Sequence, residues 1–283
     1  NLPFTYPARP LNGKLICGFV APVFERAVYP ETLIPWLKSL SYQIDTDNVR
    51  ARGDRNFLIS NLFQNLNVLE QVSVGLLKED WDIAIIVITG TDRLHHFLFD
   101  AFEDESHPHH SDFITYYKRV DSFISAVDSL LDNQTLRVFL SDHGFTELKG
   151  QVYLNNILKG LGYLKFRKAD PKFIDDLHPD SLAFAMDPTR IYLNTRQRFG
   201  GSRIPDSRVC EIKSRIKQDL ESLTLSDVGL DANQFPDWGD DRLFSEIKSR
   251  DEIYSGKLLD LAPDLVIIPK NGLDVKATIN ATG

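Results

Sequence analysis

Two aspartate–histidine pairs carry the chemistry that this chain is equipped to do. The first is Asp92 and His96, within Thr91-Asp92-Arg93-Leu94-His95-His96. The second is Asp142 and His143, within Ser141-Asp142-His143-Gly144-Phe145. Carboxylate oxygen plus imidazole nitrogen is a donor set that suits zinc, with manganese as the alternative. Asp92 and His96 stand four residues apart, so on a helix they share a face and can grip one ion. Asp92 follows Gly90-Thr91, where it caps or begins such a helix. Asp142 and His143 are adjacent and would point to opposite faces of a strand. They converge only if the chain turns, and Gly144 is a residue that tolerates unusual φ/ψ.

The elements that must position these pairs follow from the residues around them. Ile83 to Ile88 and Leu136 to Leu140 are short apolar runs rich in β-branched residues. Each is expected as a buried parallel strand, and each ends near an acidic residue with a histidine close behind. Ligands of open α/β sheets bind beyond the carboxyl ends of the strands. Between the runs, Asp112 to Leu131 has apolar residues at helical spacing, among them Ile114, Tyr117, Val120, Phe123, Ile124 and Val127. Strand, helix, strand implies a parallel, right-handed unit. Neighbouring strands lie about 4.8 Å apart. The two pairs would then hold two cations roughly 4 Å apart, as in two-metal phosphoryl-transfer sites.

Elsewhere the pattern predicts a strand over Lys14 to Phe19, a short helix over Pro30 to Leu40 and a strand tip at Tyr42 to Ile44. A long amphipathic helix is predicted over Asp54 to Leu77, capped by Asp54. Further on come a helix over Val152 to Leu161 closed by Gly162, strands at Leu182 to Met186 and Arg190 to Asn194 joined by Asp187-Pro188, and a helix over Pro205 to Leu223. Leu265 to Ile268 reads as a final buried strand.

Composition narrows the function classes. Of 283 residues, 42% are hydrophobic and 25% charged, as in soluble globular proteins. The net charge of −8, with no basic run against it, speaks against a nucleic-acid-binding patch or broad binding to anionic membranes. No apolar run approaches the length of a membrane span. Cys17 and Cys210 lack metal-type spacing and read as buried thiols. The chain begins at Asn1, so the lack of a visible signal peptide leaves the compartment open.

With these residues in view, the sequence resembles the alkaline phosphatase superfamily, in its type I phosphodiesterase/nucleotide pyrophosphatase branch. The resemblance rests on the two motifs above and on Tyr116-Tyr117 and Val120-Asp121. Further pieces are Pro3-Phe4-Thr5-Tyr6-Pro7, Asn12-Gly13, Arg190-Ile191-Tyr192-Leu193-Asn194 and Ala262-Pro263-Asp264-Leu265-Val266. It implies an α/β fold, a three-layer α/β/α sandwich with a mostly parallel central sheet, here one domain over residues 1–283. It also implies two divalent cations, usually zinc, bridged by the phosphate of a small phosphate ester or nucleotide. Asp92 and His96 match two of the three protein ligands of one metal; Asp142 and His143 match two ligands of the other. A threonine or serine in the family attacks phosphorus, and water releases the phospho-enzyme. The resemblance places that nucleophile and another metal-binding aspartate upstream of this segment. It places the last histidine in a Thr-Gly-x-His context, where this chain stops at Ala281-Thr282-Gly283. The chain therefore reads as the interior part of a longer enzyme, and neither Thr91 nor Ser141 is assigned as nucleophile.

Other candidates are weaker. His95 adjoins a ligand position and would orient it from behind or sit as a helix residue. His107, His109 and His110 form a loop cluster that matches no dedicated metal motif. Arg190 offers a guanidinium to phosphate or stands on a strand surface. His178 reads as a loop residue, and Gly200-Gly201 as a turn rather than a phosphate loop. Rival functions are a related phosphomutase or phosphomonoesterase, or a non-catalytic metal- or ligand-binding domain that retains the fold. A sulfatase is disfavoured because no Cys-x-Pro-x-Arg motif is present.

Overall fold

A computed structural model describes residues 2–169, 171, 176–200 and 204–279. Residue contacts divide the chain into two compact units, residues 1–145 and 146–283. Gly201 and the Ala281–Gly283 terminus lie outside the described residues.

The first unit is mostly helical. β1 (Leu15–Ile16) pairs antiparallel with β2 (Val28–Tyr29), and α1 (Ile34–Ser39) and α2 (Asn48–Gly53) follow. α3 (Arg55–Leu77) is the long helix that the spacing predicts. Asp54 caps it, accepting from the Phe57 N–H at 2.8 Å, because the first turn has amides without intrahelical partners. Leu58, Leu62 and Leu66 recur every fourth residue and are buried. That stripe packs with Leu94, Leu98, Phe113, Tyr116 and Phe123. Further along, Val68 and Val72 face a second cluster with Ile16, Val28, Leu37 and Tyr42. One helix thus serves two cores, each fully buried leucine contributing roughly 1.5–3 kcal/mol.

α4 (Gly90–Glu103) and α5 (His110–Asp128) complete the unit. α4 is kinked at Leu98, whose φ of −141° is not helical. α5 starts two residues before the predicted span and stops three residues short of it. There Asp132 accepts from the Gln134 and Thr135 amides at 3.0 and 2.8 Å and turns the chain.

Two expected strands are corrected here. Neither Ile83 to Ile88 nor Leu136 to Leu140 belongs to a sheet. A parallel strand needs partners on its edges and cover on its faces. Ile86 and Ile88 do pack against the helical core, but Ile83 is 82% exposed and Leu136 85%. Tyr42 to Ile44 also forms no strand, since Tyr42 turns inward as a buried core residue.

The second unit carries most of the sheet. β3 (Gly150–Tyr153) leads directly into α6 (Leu154–Gly160), after which Gly162 adopts a φ of +82° and ends the helical segment. β4 (Ala183–Asp187) and β5 (Arg190–Leu193) form the hairpin predicted at Asp187-Pro188. α7 (Arg196–Phe199) and α8 (Val209–Ser222) follow, α8 burying Ile212, Ile216 and Leu220. Then come β6 (Phe244–Ser249), α9 (Arg250–Ile253), β7 (Leu265–Pro269) and β8 (Leu273–Lys276). The strand order β4-β5-β7-β6 is antiparallel throughout, while β8 pairs parallel with β3. β7 is therefore not the last strand, as the sequence had suggested. Cys17 is buried as expected, but Cys210 lies on the exposed side of α8.

Two sequence pieces that looked unrelated meet at Asp264. Its carboxylate is buried at 5% exposure and accepts from the Leu193 N–H at 2.7 Å and from Arg198 Nη1 at 2.9 Å. Arg250 Nη1 lies 3.7 Å away. Removing one partner of such a pair strands the other charge. Asp264→Ala should therefore destabilise the fold by about 3 kcal/mol, read as a lower urea midpoint.

Candidate active site

The first turn of α4 is built on a close approach. Tyr116, buried on α5, brings its hydroxyl so near Gly90 that a Cβ there would lie 1.9 Å from the oxygen. Burial also pushes the Tyr116 phenol well above its ordinary pKa, so it stays protonated. Helix α4 can begin at this point only because residue 90 has no side chain. Asp92 then falls in the first turn, where the helix dipole favours a carboxylate, rather than at the cap.

Arg93 orients that carboxylate. Its Nε and Nη2 donate to the two oxygens of Asp45 at 3.0 and 2.7 Å, a bidentate fork. Nη1 donates to Asp92 Oδ2 at 2.9 Å. The hydrogen bond to Asp45, with the charges of Asp45 and Asp92, holds the guanidinium above its ordinary pKa against the opposing effect of burial. One oxygen of Asp92 is thus engaged and the other, Oδ1, points away.

Two imidazoles meet at Oδ1. His96 Nε2 lies 3.4 Å from it and His143 Nε2 lies 3.9 Å from it. Asp142 Oδ2 is 3.7 Å from the same His143 nitrogen. Both imidazoles are about half exposed, whereas Asp142 is 87% exposed and Asp92 only 28%. His143 Nδ1 is 3.0 Å from the Gly144 carbonyl, which can only accept, so the proton belongs on Nδ1. Nε2 is then left with its lone pair towards Asp92 and Asp142.

The turn that brings Asp142 and His143 together is made by side chains. Asp142 Oδ1 accepts from the His143 N–H at 3.1 Å, and Ser141 Oγ donates to the His143 carbonyl at 2.6 Å. Gly144, expected to supply an unusual conformation, is absent from the positive-φ glycines and has open space around it.

A tetrahedral ion with ligands near 2.1 Å keeps its donors about 3.4 Å apart. The Asp92–His96 separation meets that figure; the His143 separations exceed it. Among the described residues, no group of three or more His, Cys, Asp or Glu side chains is arranged to hold a metal ion as it stands. The donor chemistry fits a divalent cation, and Asp92 with His96 stand at the separation that one requires. A recess of about 40 Å³ is lined by Asp45, Gly90, Arg93 and Tyr116, among others, and has room for water.

A family model described as type I phosphodiesterase / nucleotide pyrophosphatase matches residues 4–282. The chain belongs to that family. No curated protein and no solved structure gives a significant match. As a member of the type I phosphodiesterase/nucleotide pyrophosphatase family, the chain is a phosphoric ester hydrolase of the α/β, alkaline-phosphatase-like class. No helix among the described residues is long and apolar enough to cross a membrane.

The remaining candidates have other employment in this family member. His107 Nε2 lies 2.9 Å from Arg55 Nη1, beside the Arg55–Asp100 ion pair. His109 Nδ1 meets Asp112 at 3.1 Å, and His110 Nδ1 donates to the Ala101 carbonyl at 2.9 Å. These three histidines lock the α4–α5 connection. Arg190 pairs with Asp187 at 3.2 Å across the β4–β5 turn, and His178 contacts Asp180 in its loop. Sequence reasoning missed Asp45 and Arg93. Arg93 was inside the motif, but its Asp45 partner is 48 residues away and no local spacing announces it.

The Gly90 contact gives a direct test. Gly90→Ala forces Tyr116 to move and should cost about 1–3 kcal/mol. Thermal unfolding should show a lowered midpoint, whereas Gly144→Ala, with nothing near its added methyl, should leave the midpoint nearly unchanged.

Proposed function

We propose that the chain acts as a metal-dependent hydrolase of phosphodiester or nucleotide pyrophosphate bonds, through a two-metal site. The observation that carries this reading is the meeting of His96 Nε2 and His143 Nε2, from segments far apart in sequence, at the one free oxygen of Asp92. Asp92, His96, Asp142 and His143 would hold the cations, zinc or alternatively manganese. When bound, such ions neutralise charge on the attacking, leaving and non-bridging oxygens of a phosphoryl group.

The chain's own residues prepare for that chemistry. Arg93 fixes the plane of the Asp92 carboxylate, so that its free oxygen need not be reoriented. The Gly144 carbonyl fixes the His143 tautomer and leaves Nε2 as a donor atom. Thr91 Oγ1 donates to the Ile88 carbonyl at 3.1 Å, and Ser141 Oγ to the His143 carbonyl. Both hydroxyls beside the site are spent on backbone, so neither is poised as a nucleophile. The substrate class is a small phosphate ester or nucleotide.

Hydrolysis of bis-p-nitrophenyl phosphate should stop on chelation and return with zinc or manganese. Asp92→Asn and Asp142→Ala should each lower kcat/KM about 100-fold or more, because even residues that only orient a ligand contribute about 10–100-fold. Undiminished turnover after exhaustive chelation would overturn the reading.

A further inference from the structure

The segment that carries Asp142 and His143 has no strand to hold it. Leu136, Val138, Phe139 and Leu140 are 70–85% exposed, and residues 136–144 belong to no sheet. Something else must keep His143 within 4 Å of Asp92. The ring contacts of the first unit point to Phe145. Its ring stacks on His95 at 4.6 Å with an interplanar angle of 16°. It meets His96 edge-on at 5.1 Å and 87°, and His143 at 5.1 Å and 67°. One phenyl ring therefore touches the imidazoles of both proposed ligand histidines and stands on a third.

That third imidazole is held firmly. His95 Nδ1 lies 2.8 Å from the Thr91 carbonyl, which fixes the ring on α4. Phe113 packs edge-on against it at 5.1 Å, and Tyr117 at 5.7 Å. Offset and edge-to-face ring pairs are worth about 0.5–1.5 kcal/mol each beyond their buried area. A flat ring on a fixed ring also restricts direction, which a merely apolar contact does not.

We infer that Phe145 and His95 are positioning residues: their stack docks the Asp142–His143 loop onto α4 and sets the distance from His143 Nε2 to Asp92. This inference rests on the metal-binding reading above and adds to it the device that assembles the two halves of the site. His95 acts here through its ring face and not as a metal ligand. The stack substitutes for sheet pairing as the source of ligand geometry.

The test is titration of the metal-free 283-residue chain with Co²⁺ alone, following the d–d absorption bands, whose intensity reports coordination geometry. Phe145→Ala should weaken Co²⁺ binding about 10–100-fold and alter the band shape, while Phe145→Tyr should stay within about threefold of the parent. His95→Phe keeps a ring under Phe145 but loses the bond to the Thr91 carbonyl, so its loss should be smaller than that of Phe145→Ala. Thermal unfolding controls for folding. If Phe145→Ala does not fold, Phe145→Leu against Phe145→Tyr carries the comparison, a smaller apolar side chain without a ring against a ring. Asp92→Asn separates the two claims. Parent-like binding and spectrum in Phe145→Ala or Phe145→Leu, with binding lost in Asp92→Asn, overturns the stack and leaves the metal site. A loss in His95→Phe as deep as in Asp92→Asn makes His95 a ligand and also overturns it. Parent and Asp92→Asn behaving alike removes the metal reading and this inference with it.

Discussion

The salt-bridged triad of Asp45, Arg93 and Asp92 is the constraint on which the rest of the candidate site depends. A carboxylate on a partly exposed helix turn would otherwise rotate freely and present either oxygen. Arg93 has five N–H donors in a rigid plane, and three of its nitrogens are committed here to two carboxylates. Its own position is fixed because Asp45 takes two of them. The Arg93 side chain is only 15% exposed, so the pair is screened less than a surface bridge. Everything downstream follows from one oxygen of Asp92 being tied back: the other is the place where imidazoles from two segments can converge.

That triad in turn requires the helix register that Gly90 permits. α4 starts where Tyr116 presses against the backbone, and α5 supplies Tyr116 from the same face that buries Phe113 and Phe123. The core of the first unit and the site therefore share residues. Val120 and Phe123 contribute only packing, while Tyr116 both fills the core and sets where the helix begins.

Much of this was legible in the amino-acid sequence because it was local. The Asp54 cap, the leucine stripe of α3, the Asp187-Pro188 hairpin and the i, i+4 relation of Asp92 and His96 all depend on residues a few positions apart. The pairing of the two motifs was legible as well, although the route proposed for it was not. Ile83 to Ile88 and Leu136 to Leu140 have strand composition, yet composition cannot say whether a neighbour is present to accept their hydrogen bonds. Phe145 was read only as the last letter of a motif. Its ring contacts belong to side-chain packing across fifty residues of chain, which no periodicity encodes. Asp45 was hidden for the same reason.

The charge of the site has a consequence of its own. Asp45 and Asp92 share a single guanidinium, and Asp142 adds a third carboxylate beside His143. At neutral pH this surface carries an excess of two negative charges, in a chain that is already acidic overall. Without counter-ions, such a field turns away any phosphate that approaches. Under the reading proposed above, bound cations would reverse the sign of that field, so that cation capture would precede and license anion capture.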